Sequence, residues 1–346
     1  MDAQGIPALL ISDSLNLGWA SGFTGSSGMG LVTAKEAIFI TDSRYTIQAA
    51  DEVKGFEVIT FGSPMTAVKV LKEHLQKLGV SKLGFETSVT YATLEGWKKD
   101  TEGVEWVPAG EVLPPLRMIK SAEEVEKLRH ACALADACFD HVCRMIQVGV
   151  SEYDIALDIE FFIRRQGAKL AFDVIAVSGP NSAKPHGKPS ERKLEPGDFL
   201  TLDFGAGLHG YNSDLTRTVV VAELSERHAR IYNRVLEAQV AACEALKPGA
   251  NGRDVDLLAR AILDKDDLSK YFGHGLGHGL GMAVHDYGGL SQSRDQEILA
   301  GQVWTVEPGV YIPGFGGVRI EDDVHVTPEG PEILTHSRKE LLVLGG

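Results

Sequence analysis

Leu200-Thr201-Leu202-Asp203-Phe204-Gly205-Ala206-Gly207-Leu208-His209-Gly210, followed by Tyr211-Asn212-Ser213-Asp214-Leu215-Thr216-Arg217-Thr218-Val219-Val220-Val221, admits two readings. The apolar alternation of 200–204 predicts a strand, and Gly205 to Gly210 then fits GxGxxG. A dinucleotide site would need a helix next, because the helix N-terminus holds the pyrophosphate. The next segment, Asp214 to Val221, is β-branched and strand-like instead. The nucleotide reading therefore fails, and the glycines are expected to turn a hairpin. Folding that hairpin brings Asp203 and Asp214 side by side. Two carboxylates so placed repel unless they share a proton or a cation. Asp214 alone, after Asn212-Ser213, would read as a solvated turn residue. Asp203, inside an apolar strand, is harder to read that way.

Two more acids fall in strand-like stretches further on. Glu307 ends Gln302 to Glu307 on the face of Val303 and Thr305, and Glu321 lies within Val318 to Val326 on the face of Arg319 and Asp323. A lone Glu in a strand belongs on a solvated face, since Glu is rarely buried unpaired. Four such acids beside apolar strand residues point instead to a shared cation. The segment His274-Gly275-Leu276-Gly277-His278-Gly279-Leu280-Gly281-Met282-Ala283-Val284-His285 packs three histidines among glycines. Each glycine disfavours helix by roughly 1 kcal/mol relative to alanine, so His274 and His278 need not share a helical face. Three histidines in such a loop suit a ligand, an acid/base group or a substrate clamp. One imidazole with four carboxylates and no thiolate is a hard donor set suited to Mn²⁺, Co²⁺ or Zn²⁺. Two such ions roughly 3.5–4 Å apart polarise a carbonyl and supply hydroxide near neutral pH, the equipment for amide hydrolysis.

Outward from these motifs the chain divides in two. Ala8 to Ile11, Gly30 to Thr33 and Ala37 to Ile40 read as short strands, the last two as a hairpin. Pro64 to Leu78 has a helical period and Lys82 to Glu86 returns to strand, so residues 1–117 form an α/β domain. Leu113-Pro114-Pro115 interrupts regular structure. Ser121 with Glu124 then makes a capping box for a helix running to about Gln147. Further helices are expected from Ser151 to near Gly167, Ser225 to Leu246 and Asp254 to Leu263. With strands at 199–204, 216–221, 302–307 and 318–326, residues 118–346 form an α+β domain on a largely antiparallel sheet. A chain of 346 residues carrying 34 basic and 48 acidic side chains, net charge −14, argues against binding nucleic acid or anionic lipid. The four cysteines have no CxxC spacing and read as reduced. Neither a signal peptide nor a run of ~18 apolar residues is present. A cytoplasmic protein is expected.

The motifs together resemble the pita-bread metallopeptidases: Xaa-Pro dipeptidase, aminopeptidase P and, more distantly, methionine aminopeptidase. The resemblance rests on Asp203-Phe204-Gly205, Ser213 to Thr218, His274 to Gly281, Val284-His285-Asp286, Thr305 to Gly309 and Arg319 to Asp322. Gly22 to Ser26 and Thr41 to Tyr45 are similar to the creatinase-type N-terminal domain of the proline-specific members. The resemblance implies a pita-bread catalytic domain at 118–346 and two divalent ions per subunit. Asp214 would bind one ion and His278 the other, with Asp203, Glu307 and Glu321 completing or bridging the pair. The nucleophile would be a metal-bridging hydroxide, and Glu307 would help move its proton. His186 would bind substrate or shuttle a proton, His285 would stabilise the reacting carbonyl, His274 would line the pocket, and Arg319 would support the acids. Short proline-containing peptides would be the substrates and a homodimer the assembly. One departure is that the family's leading helix is short or missing before the strand at Ala8. The resemblance favours a dipeptidase because the compact chain lacks the extra segments of larger aminopeptidase P forms. A creatinase-like non-peptidase or a catalytically dead binding protein would be expected to have lost ligands, and all five positions are filled.

Overall fold

A computed structural model describes residues 5–346 and separates them into two compact units, one ending at Arg117 and the other beginning at Met118. The expectation of a short or missing leading helix falls largely on residues 1–4, outside the described residues. Among the described residues no helix is long and apolar enough to cross a membrane.

The first unit is built on a six-stranded sheet. Its spatial order is Glu57–Phe61, Ala37–Asp42, Met29–Thr33, Ala8–Ile11, Lys82–Phe85, Glu105–Pro108. The two strands expected as a hairpin pair antiparallel, Leu31 against Ile38. The outer pairs run parallel, with helices Thr46–Glu52 and Tyr91–Asp100 in their connections. The unbroken apolar run Ala8-Leu9-Leu10-Ile11 is explained by burial on both faces. Ala8 and Leu10 enter one core, and Leu9 and Ile11 the other.

The second unit packs four main helices against antiparallel sheets. Helices Ala122–Val142 and Glu152–Arg165 cover a four-stranded sheet ordered Val343–Leu344, Leu215–Val221, Phe199–Phe204, Ile175–Ser178. Helices Glu226–Ala245 and Gly252–Asp264 cover a five-stranded sheet ordered Asp286–Leu290, Gly277–Gly279, Val303–Val306, Asp322–Thr327, Gly330–Ile333. Val343–Leu344 alone pairs parallel. The capping box at Ser121 and Glu124 forms as the sequence indicates, and Ser151 with Asp154 makes another. The first helix ends at Val142 rather than near Gln147. Arg144 and Met145 bond three residues back, tightening the chain out of the α-helix.

One strand expectation needs correcting. Val318 to Val326 is two strands, not one. Gly316–Arg319 pairs with Gly309–Ile312, and Asp322–Thr327 joins the five-stranded sheet. Between them Glu321 N donates to Thr216 O, and Arg217 donates to Glu321 O, so the chain is held by the four-stranded sheet where it changes partners. Arg217 is fully buried. Its guanidinium donates to Asp322 Oδ1 at 2.8 Å and to Ser337 O at 2.8 Å. Asp322 also accepts from Gln239, Thr335 and Lys339. Burial alone would raise the Asp322 carboxyl, but Arg217 and Lys339 outweigh it and hold the carboxyl below its usual range. Arg217→Ala should therefore cost about 3–5 kcal/mol, because it leaves Asp322 buried with its main counter-charge gone. Urea unfolding checks this, and a loss below about 1 kcal/mol would show that the pair is not holding the junction.

Candidate metal centre

The decisive hairpin forms, with a smaller one inside it. Phe199–Phe204 pairs antiparallel with Leu215–Val221, placing Thr216 opposite Asp203. Asp214, two residues before Thr216 on the same face, thus sits diagonally from Asp203. Between them Ala206–Leu208 pairs with Tyr211–Asn212 through His209-Gly210, whose φ angles are 52° and 82°. Positive φ at both central residues is the type I′ hairpin turn. Gly205 serves a close crossing of chains, since a Cβ there would lie 2.0 Å from Ser213 O.

His278 occupies the middle of the short strand Gly277–Gly279, between Asp286–Leu290 and Val303–Val306. A Cβ on Gly277 would lie 2.0 Å from Thr305 O, and one on Gly279 would lie 2.1 Å from Tyr287 O. Only glycines let both neighbours close in and leave His278 as the one side chain. Its backbone N–H donates to Thr305 Oγ1 at 3.0 Å, and its Nδ1 lies 3.1 Å from Gly279 O. A proton on Nδ1 satisfies that carbonyl and leaves the Nε2 lone pair free. Nε2 faces acids, 3.7 Å from Asp214 Oδ2 and 3.5 Å from Glu307 Oε1. Burial drives the imidazole down to about 4, so it is neutral.

Glu321 arrives from the junction between sheets, its Oε2 accepting from Thr216 Oγ1 at 2.6 Å. Ligand atoms of Asp214, His278 and Glu321 lie within 4.8 Å of one another. Asp203 Oδ2 accepts from Arg319 at 2.5 Å. Asp203 Oδ1 and Asp214 Oδ1 are buried with no hydrogen-bond partner. Buried carboxylate oxygens rarely go unpartnered. Burial, reinforced by Glu321 and Asp203, pushes the Asp214 carboxyl well up. Burial and then Glu321 do the same to Glu307, and burial and Asp203 raise Glu321 to about 8. Hard oxygens in excess, two of them orphaned, beside one neutral imidazole are a set that divalent cations fit.

All the remaining sequence-predicted residues line the same cavity, of about 660 Å³: His186, His274, His285 and Arg319 join the four acids and the imidazole already described. The His285 ring centroid is 4.2 Å from that of His278. His274 differs in kind from its neighbours. Its Nδ1 lies 2.8 Å from Gly275 O, its Nε2 lies 2.8 Å from Tyr311 OH, and Arg319 donates to that same hydroxyl at 2.7 Å. Both its nitrogens are engaged, and burial holds the ring at about 4. Tyr311 was not legible beforehand, because an aromatic on Gly309–Ile312 reads as core. Asp323 is a further unforeseen acid, accepting from Asp214 N at 2.9 Å and from Cys132 Sγ at 3.2 Å. Much of the remaining lining is apolar, from Tyr153, Phe172, Val174 and Ile175 with Pro185 and Pro189.

Residues 126–328 match metallopeptidase family M24, and residues 1–119 match the creatinase/prolidase N-terminal domain. An uncharacterized peptidase of Bacillus subtilis is 43% identical over 342 residues, 98% of this chain and 96% of that one. The solved structure of an Xaa-Pro dipeptidase from Bacillus anthracis is similar at TM-score 0.96 and 42% identity, covering 99% of this chain and 96% of its own. An X-Pro aminopeptidase structure from Thermotoga maritima is similar at TM-score 0.93 and 34% identity, covering 98% of each chain.

The raised acids predict a pH dependence in protein stripped of divalent ions. Glu321 has a folded value of about 8 against 4.5 for the free side chain. The stability it contributes is fully present below 4.5 and lost as pH rises through 8. In chelator, the unfolding temperature should fall from pH 5 towards pH 8.5. Mn²⁺ should oppose the fall, because cations favour the deprotonated acids. An unchanged midpoint across that range in chelator would contradict the acid cluster.

Proposed function

This chain belongs to metallopeptidase family M24, with a creatinase/prolidase N-terminal domain, and from that membership we propose that it is an Xaa-Pro dipeptidase using two divalent ions. The observation that carries the proposal is one cavity lined by four carboxylates, His278, His186 and His285 together with an apolar wall. Its volume suits a dipeptide. Mn²⁺, Co²⁺ or Zn²⁺ held by Asp203, Asp214, His278, Glu307 and Glu321 would supply a Lewis acid and an acidified water.

The residues divide the remaining work. Glu307, 3.5 Å from His278 Nε2, is the acid that would take a proton at the reacting centre and pass it to the leaving proline nitrogen. His285, packed on His278, would donate to the oxygen of the scissile carbonyl as charge develops there. His186, on the exposed edge of the cavity, would bind the substrate or shuttle a proton. His274, with both nitrogens engaged, would position Tyr311 and through it Arg319, which holds Asp203. The apolar wall would take the pyrrolidine ring, which presents no N–H. The dipeptidase from Bacillus anthracis exceeds the aminopeptidase from Thermotoga maritima in both identity and TM-score, which supports the dipeptidase choice. The alternative is release of the N-terminal residue from longer Xaa-Pro peptides. A creatinase-like non-peptidase fits poorly with five competent donors. We extend the proposal to a cytoplasmic homodimer, since four unpaired cysteines suit a reducing compartment.

With Mn²⁺, Co²⁺ or Zn²⁺ supplied, Xaa-Pro should be hydrolysed faster than Xaa-Pro-Yaa at matched concentration, read by free proline release. Cleavage of the longer peptide alone would overturn the dipeptidase choice. His278→Ala should keep the fold by circular dichroism and lose bound metal by elemental analysis. Its activity should fall by more than the roughly 10–100-fold typical of losing an outer-shell partner. Full activity at saturating metal would remove His278 from the ligand set.

A further inference from the structure

A dipeptide entering this cavity brings a free carboxylate towards a floor of acids. That end of the substrate needs a cation, and the cavity lining offers two lysine or arginine side chains, Arg319 and Lys188. Arg319 is buried and committed. It donates to Asp203, Tyr311, Thr216 and the carbonyl of Pro185. Lys188 is exposed, and no acid among the described residues pairs with it. Its neighbour in sequence, Lys184, donates to Asn181 Oδ1 instead.

The backbone of Lys188 is tied to the body of the unit. Asn181 Nδ2 donates to Lys188 O at 3.3 Å. The same nitrogen donates at 3.0 Å to Glu152, a carboxylate with no exposed surface on the first turn of helix Glu152–Arg165. Glu152 also accepts from Ser178 N and Oγ on one side of the loop, and from Ser190 N and Oγ on the other. One buried acid thus ties down both ends of the segment that carries His186 and Lys188. Residues 186–189 also form one side of a shallow groove with Pro180, Asn181 and Ser190. Lys188 therefore stands where the cavity gives way to the groove.

Resting on the Xaa-Pro dipeptidase reading, we infer that Lys188 binds the terminal carboxylate of the substrate and so selects dipeptides over longer chains. A longer peptide would run past Lys188 into the groove and present an uncharged amide at that point. A flexible ammonium at the rim acts through charge more than geometry, so arginine should replace it and salt should weaken it.

The test measures kcat and KM of the metal-loaded enzyme on Ala-Pro and on its C-terminal amide, for wild type, Lys188→Ala, Lys188→Arg and Lys188→Glu. Lys188→Ala should raise KM for the acid roughly five- to twentyfold, as expected for one charge-assisted contact, and leave kcat within about threefold. KM for the amide should not move. Lys188→Arg should restore the acid, and Lys188→Glu should be worse than alanine. Raising salt from roughly 0.05 to 0.5 M should raise the wild-type KM for the acid, with little effect in Lys188→Ala. An unchanged KM for the acid in Lys188→Ala, or equal losses on acid and amide, would overturn the role of Lys188 while leaving the dipeptidase reading intact. A wild type that cleaves neither compound would overturn that reading and this inference with it.

Discussion

Four carboxylates crowded together away from water set the terms for the rest of the catalytic unit. Each loses hydration on burial, and each raises the cost of ionising the others. The chain offsets only part of this. Arg319 takes one oxygen of Asp203, Thr216 takes one of Glu321, and the neutral His278 faces Asp214 and Glu307. Oxygens on Asp203 and Asp214 remain without partners. The protein is therefore built around an electrostatic deficit of positive charge. The net charge of −14 shows the same bias at the scale of the whole chain.

Holding such a cluster requires rigid supports, and the architecture supplies them at a junction of sheets. Asp203 and Asp214 come from one hairpin, while His278, Glu307 and Glu321 come from the other sheet and its connections. The two meet where the chain leaves Gly316–Arg319 for Asp322–Thr327. The buried Arg217–Asp322 pair lies on the opposite side of that crossing from Thr216. Adjacent residues thus face two different electrostatic problems. Thr216 and Glu321 serve the acid cluster, and Arg217 and Asp322 neutralise each other inside the core. A strand's alternation makes this possible, since consecutive side chains point to opposite faces.

That same alternation made much of the unit readable. Asp203, Asp214 and Glu307 could be assigned to faces by counting in twos, and rejection of the dinucleotide reading required only the β-branched run after Gly210. Capping boxes marked helix starts to the residue, because a serine and an acid three positions later bond the backbone locally. The break at Ile320-Glu321 was hard to see, since Val318, Ile320, Val324 and Val326 keep one alternation with only Asp322 out of step, and the cause is a contact with Thr216 some hundred residues earlier. Tyr311 and Glu152 were hidden for a related reason. A tyrosine on an apolar strand and a glutamate in the first turn of a helix are both locally ordinary. Their roles come from partners on other elements, Arg319 and His274 for one and Ser178 and Ser190 for the other.

Glu152 and Asp214 make an instructive pair. Both are acids with almost no exposure. Glu152 accepts five hydrogen bonds, from Ser178, Asn181 and Ser190, so its charge is compensated entirely by groups the chain brings to it. Asp214 keeps one oxygen with no partner and lies beside four other acids. Burial is the same in the two cases, and saturation is what differs. A buried acid whose lone pairs are filled by the chain's own donors is a structural tie, here fastening a loop. One whose lone pairs stay open among like charges implies a positive partner that the chain does not encode. Hydrogen-bond saturation therefore separates Glu152, which builds this fold, from Asp214, which is left open for a cation.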